Sequence, residues 1–183
     1  LFIVFMKDLT VLWVVEQLGD VFYTRYVEVM EKMRKSAQEA ILWPWFEICD
    51  RVCIDSTGLG IGWADDAQDK FGPHRVEGVN FSGPVKEALA YPLRGAMEDR
   101  LVRIPEDPKI RADLRKVQKT TTAAGNIRFV ADGDDSTKVN GHADRFWALA
   151  LALHAGSSPS APIEYESGGP RDSSQPLGDF IHG

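Results

Sequence analysis

The stretch "RVCIDSTGLGIG", residues 51–62, decides the fold. Val52, Cys53 and Ile54 form a compact apolar run of β-favouring residues, which reads as a buried strand. It ends on Asp55. Small residues and three glycines follow, and a helical stretch then runs to Lys70. A buried strand that turns through small residues into a helix is the unit of an α/β sheet.

Upstream, "LFIVF" (1–5) reads as a short strand. "TVLWVVEQLGDVFYTRYVEVM" (10–30) holds two β-rich runs joined at Gly19-Asp20, a hairpin signal. Residues 31–43 read as a helix stopped by Pro44. Downstream, "HRVEGVNF" (74–81) is a further strand, and 84–100 is helical, with Pro92 expected to kink or divide it. "LVRI" (101–104) reads as a short strand or edge. Residues 108–120 read as a polar helix with Pro108 in its first turn. "GNIRFVADGDDSTKVNG" (125–141) reads as a hairpin with its polar tip at 132–136. An apolar helix covers His142 to Ala155. From Gly156 onward 15 of 28 residues are Ser, Gly or Pro, the composition of a flexible tail. The expected fold is therefore α/β, a sheet of mixed direction with an antiparallel start and helices on both faces. One domain occupies 1–155, and 156–183 is the tail.

Of the 183 residues 44% are hydrophobic, enough for a real core. The formal net charge of −6 argues against tight nucleic-acid binding through charge alone, unless metal ions or a local basic surface offset it. Cys49 and Cys53, four residues apart, match neither a redox CxxC nor a four-ligand zinc site. They read as small core residues in a reducing compartment. No apolar run is long enough to span a bilayer, and "LFIVFM" is too short for a signal-peptide core. A soluble, intracellular protein is expected.

Ligands of open α/β sheets bind outside the carboxyl ends of the strands, where Asp55 stands. Asp55 could equally cap the turn that follows it. "GLGIGWADD" (58–66) spaces its glycines G-x-G-x-G, not G-x-G-x-x-G, although Glu77 lies where a ribose-binding acid could sit. The glycines could simply permit a tight strand-to-helix turn. No P-loop is present in the sequence.

The helix beginning "HADRFWALALA" (142–152) is apolar on nearly every side after Phe146, yet opens with His142, Asp144 and Arg145. An acid in a first turn is favoured by the helix dipole. Alone, Asp144 and His142 read as caps or satisfied polar groups. With Asp55 they would form a carboxylate cluster able to hold divalent cations, Mg²⁺ or Mn²⁺ in preference to zinc. A phosphate-bearing substrate would need a basic surface. Arg111, Arg115 and Lys119 recur every four residues and would share one face of the 108–120 helix. That stripe suits DNA-backbone contact as well as plain solvation. Lys86 sits at a helix start, where the dipole does not favour a cation.

Taken in order, "KDLTVLWVVEQLGDVFYTR" (7–25), "RVCIDSTGLG" (51–60), "VNFSGPVKEALAYPLRGAMEDRLVRIP" (79–105), "LRKVQKTTTAAGNIRF" (114–129) and "GHADRFWALALALHA" (141–155) resemble the nuclease domain of phage large terminase subunits, most closely the Mu-like branch. The resemblance spans about residues 1–155. It implies a ribonuclease H-like fold and a metal-dependent endonuclease that cuts concatemeric double-stranded DNA in the cytoplasm of a bacterial host. It further implies, as partners, a packaging ATPase domain, a portal and a small terminase subunit. Nothing in the sequence resembles that ATPase. Matched to the family motifs, Asp55 is the second-strand catalytic acid, Asp144 the acid of the last helix, His142 its preceding ligand, and Asp8 an acid found shortly after the first strand. The family's first-strand acid falls near Phe2, and "LFIVFM" contains no acid.

Two other readings accompany this one. A catalytically impaired DNA-binding or motor-docking module would keep the fold and lose the first acid. A nucleotide-binding oxidoreductase would be built on "GLGIG".

Overall fold

The computed structural model describes residues 2–5, 9–58, 60–121, 127–131 and 143–157. In chain order the elements are β1 (Phe2–Phe5), β2 (Leu9–Leu18), β3 (Val21–Glu31), α1 (Lys35–Ile48), β4 (Val52–Asp55), α2 (Gly60–Phe71), β5 (Val76–Val79), α3 (Gly83–Glu98), β6 (Val102–Arg103), α4 (Pro108–Lys116), β7 (Val117–Thr121), β8 (Ile127–Ala131) and α5 (Asp144–Ser157).

β1, β2 and β3 pair antiparallel, and Gly19 turns the β2–β3 hairpin with φ +60°. β6 joins β3 in parallel. β4 and β5 pair in parallel with Cys53 opposite Glu77 and Asp55 opposite Val79, and β4 lies against β1.

Side-chain alternation shows why the sheet is covered on both faces. Val11, Trp13 and Val15 of β2 and Cys53 of β4 pack with α3 and α5. Leu12 and Val14 of β2, and Val52 and Ile54 of β4, pack with α1 and α2. Successive strand residues point to opposite faces, so both faces of these strands must be apolar. Buried Thr10 donates to Gln38 Oε1 at 2.8 Å, and Gln38 donates to the Met33 carbonyl at 2.8 Å, so α1 docks with these polar groups satisfied.

α5 is enclosed on nearly every side: Asp144, Phe146–Leu153 and Ala155 are all buried. Its alternating Ala and Leu residues fill the space between sheet and α3. Its last turn reaches β3 at Gly156, where a Cβ would stand 2.6 Å from the Phe22 ring.

Several expected elements differ. α1 starts at Lys35, because β3 continues to Glu31, and runs through Pro44 to Ile48. An interior proline costs about 3 kcal/mol. Here packing outweighs it: Phe46 is buried, and Trp43 meets Phe46, Trp63 and Phe71 at 5.1–5.8 Å. α3 likewise stays one helix across Pro92. α4 ends at Lys116 rather than Thr120, because "VQKTT" takes up β7. β8 pairs antiparallel with β7, Val117 opposite Ala131, a pairing the sequence reading did not include. The tip at 132–136, and the tail from residue 158 on, lie outside the described residues.

Candidate metal centre

Asp55 is the last residue of β4 and is 4% exposed. Strand alternation puts it on the face of Cys53, the face that α5 covers. Its Oδ1 accepts the Thr57 amide at 2.9 Å, so the turn-capping role is real. Thr57 Oγ1 in turn accepts the Phe81 amide at 3.0 Å, tying the ends of β4 and β5 together. Burial pushes the Asp55 carboxyl above its ordinary range, against the opposing pull of the Thr57 hydrogen bonds and the Lys86 charge.

α5 runs antiparallel to β4. Near its C-terminus His154 Nε2 lies 3.4 Å from Glu77 Oε1, at the middle of the strands. Two turns earlier Trp147 meets Phe81, just past the end of β5, at 5.6 Å. The N-terminus of α5 therefore arrives at the carboxyl end of β4 and β5. Asp144 is 4% exposed and stands in that first turn. Lys86, in the first turn of α3, completes the group. Its Nζ lies 5.4 Å from the Trp147 ring centroid, and its charge acts on Asp55.

The donor set answers what could bind. Two buried carboxylates bring oxygen ligands only, which suits hard divalent cations. A cation arriving there offsets the desolvation that raises the Asp55 carboxyl. The residues fit such an ion.

Arg145 has a separate explanation. It bonds Asp113 of α4 at 2.9 Å, with both side chains largely buried, and Lys116 approaches the same carboxylate at 3.3 Å. The pair clamps α4 to the first turn of α5. Arg145→Met leaves the buried Asp113 charge poorly compensated and is expected to destabilise the fold by about 3 kcal/mol. Adding Asp113→Asn should recover most of that stability in urea unfolding. A cost below about 0.5 kcal/mol for the single variant would show that the clamp contributes nothing.

The basic stripe does not survive as expected. Arg111 and Arg115 remain on α4, where Arg111 pairs with exposed Glu106 at 3.4 Å. Lys119 leaves for β7, its Nζ 5.4 Å from the Tyr91 ring centroid. A strand beginning at Val117 breaks the four-residue period. Asp8 and His142 lie outside the described residues.

Glu77 is not poised for a ribose. It sits within β5 and is paired with Arg51. Burial raises its carboxyl, but Arg51 and His154 outweigh that and hold it below the ordinary value. Burial pushes the Cys49 thiol up to about 11 and the Cys53 thiol up to about 12, so neither is a nucleophile near neutral pH. The gathering of Cys53, Glu77 and His154 has no local motif and was invisible in the sequence.

Residues 5–155 match the family model described as the terminase RNaseH-like domain. No curated protein matches the chain. Among solved structures it is similar to the large terminase nuclease of thermophilic phage G20c with bound magnesium, at 28% identity and TM-score 0.67, covering 83% of this chain and 78% of that one. The G20c nuclease with bound cobalt is similar at 27% identity and TM-score 0.65, covering 80% and 74%. The large terminase nuclease domain of Thermus phage P74-26 is similar at 26% identity and TM-score 0.61, covering 81% and 73%.

Proposed function

The chain belongs to the terminase RNaseH-like domain family, and on that premise we propose that it is a metal-dependent endonuclease domain that cuts double-stranded DNA during phage packaging. One observation carries the reading. Asp55, at the carboxyl end of β4, and Asp144, in the first turn of α5 and 89 positions away in sequence, are both buried carboxylates, which supports an ion held between them. Plasmid cleavage with Mg²⁺ or Mn²⁺, and none with a chelator, tests it. Equal cleavage in the chelator would refute it.

In this proposal Asp55 and Asp144 hold the metal, with Asp8 and His142 assisting. Mg²⁺ or Mn²⁺ is the ion. A bound divalent cation supplies an activated water and neutralises charge on the scissile phosphate. The protein's own part is to fix the two carboxylates and keep bulk water away. Thr57 holds the Asp55 rotamer. The buried wall of Phe81 and Trp147 excludes solvent, and Lys86 offers its charge to a DNA phosphate. The working partners are a packaging ATPase domain, a portal and a small terminase subunit, in the cytoplasm of a bacterial host. The domain is residues 1–155.

Arg111, Arg115 and Lys119 are assigned to the DNA backbone. Arg111→Glu with Arg115→Glu should weaken binding for all sequences alike. The log–log salt slope should flatten by about 0.9 for each phosphate that the variant no longer neutralises. Lys119→Glu, tested separately because it lies on β7, should add its own decrement. An unchanged slope would make these side chains a solvated face only.

A second reading is favoured by the missing acid in "LFIVFM": a catalytically impaired DNA-binding or motor-docking module. Metal-independent DNA binding without cleavage in either ion would select it.

A further inference from the structure

We propose that Cys53, Glu77 and His154 form a second divalent-cation site, one that takes Zn²⁺ or Co²⁺ rather than Mg²⁺. The proposal does not rest on the nuclease reading. One ligand atom from each residue lies within 4.8 Å of the other two. Cys53 Sγ stands 3.6 Å from Glu77 Oε2, and His154 Nε2 stands 3.4 Å from Glu77 Oε1. Tetrahedral zinc, with its metal–sulfur bond of about 2.3 Å and metal–nitrogen or –oxygen bonds of about 2.0–2.1 Å, separates its ligands by about 3.3–3.6 Å. Each separation is close to that spacing, but the two run to different Glu77 oxygens, so gathering one atom from each residue onto an ion takes a small shift from their 4.8 Å limit.

The three residues come from three elements. The β4–β5 register sets Cys53 beside Glu77, and α5 lays His154 over them. Cys53 closes the inner side of the cluster, while the Glu77 and His154 side chains are each 37% exposed and leave an entry path. The sulfur and imidazole donors select a borderline-soft ion, in contrast to the all-oxygen pair of Asp55 and Asp144. Arg51 is the competitor. Its guanidinium holds Glu77 and must release that carboxylate when an ion enters. The contrasting reading is a plain ion-pair network in which Arg51 is the permanent cation.

The test is a Co²⁺ titration of the full chain carrying Asp55→Asn and Asp144→Asn, which silences the all-oxygen site. A thiolate-to-cobalt charge-transfer band should appear and saturate at about one equivalent. Zn²⁺ should abolish it and excess Mg²⁺ should not. Cys53→Ser should remove the band and Cys49→Ser should leave it. His154→Gln, at a partly exposed position that does not threaten folding, should weaken binding by roughly tenfold or more. Arg51→Gln should tighten it. Absence of the band, its survival in Cys53→Ser, or indifference to His154→Gln would each overturn the proposal.

Discussion

Asp144→Asn and Asp55→Asn should each lower metal-dependent DNA cleavage by about a thousandfold or more, roughly 4 kcal/mol of transition-state stabilisation. Neither should lower the melting temperature of the metal-free protein. The physical reason is that both carboxylates are buried, so ionising either costs desolvation that an amide avoids. Asn at position 55 keeps an oxygen to accept the Thr57 amide, so the turn survives. The sign of the pH dependence follows from the raised Asp55 carboxyl. An acid whose folded pKa lies above its unfolded value favours the fold fully below the unfolded pKa. That contribution is lost as pH rises through the folded pKa. Asp55→Asn should therefore match the parent near pH 3 and equal or exceed it at neutral pH. Each kcal/mol gained would appear as about 2–4 °C. Added Mn²⁺ should raise the melting temperature of the parent but not of the variant. A clear drop in the metal-free melting temperature would return Asp55 to a purely structural cap.

Phe2→Asp should raise Mg²⁺-supported cleavage by about a hundredfold, on the order of 3 kcal/mol. Position 2 lies on β1 in register with Trp13, and β1 runs against β4, the strand that carries Asp55. By the family resemblance, an acid restored there would supply the first-strand oxygen ligands. The unaltered chain should bind one Mg²⁺ well and a second weakly or not at all. Its cleavage should be slow and better in Mn²⁺, because Mg²⁺ demands near-ideal octahedral geometry. Calorimetric metal titration and plasmid nicking on both forms check this. Two tight sites and brisk Mg²⁺-dependent cutting without the substitution would mean that the first acid lies elsewhere in the chain.

The elements were legible where hydrophobic patterning alone decides them. The β2–β3 hairpin, the β4 strand ending on Asp55 and the buried α5 lie where their residues put them. Sequence misled where tertiary packing outweighs a local rule. Pro44 should have stopped α1, but a cluster of Trp43, Phe46, Trp63 and Phe71 carries the helix past it. A four-residue period of cations suggested one long helix, yet β-branched Val117, Thr120 and Thr121 take the β7 conformation because β8 is there to pair with them. The places of Asp55 at the end of β4 and of Asp144 in the first turn of α5 were readable, because each stands at an element terminus. The Arg145–Asp113 clamp and the Cys53, Glu77 and His154 cluster were not, since only the packing of α5 against α4 and against β4 and β5 creates them.

The most direct test of the central claim is anomalous diffraction from crystals of the chain grown in Mn²⁺. The expected result is a manganese peak bonded to carboxylate oxygens of both Asp55 and Asp144, at about 2.1–2.3 Å. It should disappear in Asp55→Asn. A peak held by only one of the two carboxylates, or no peak at the carboxyl end of β4 in saturating Mn²⁺, would contradict the shared site.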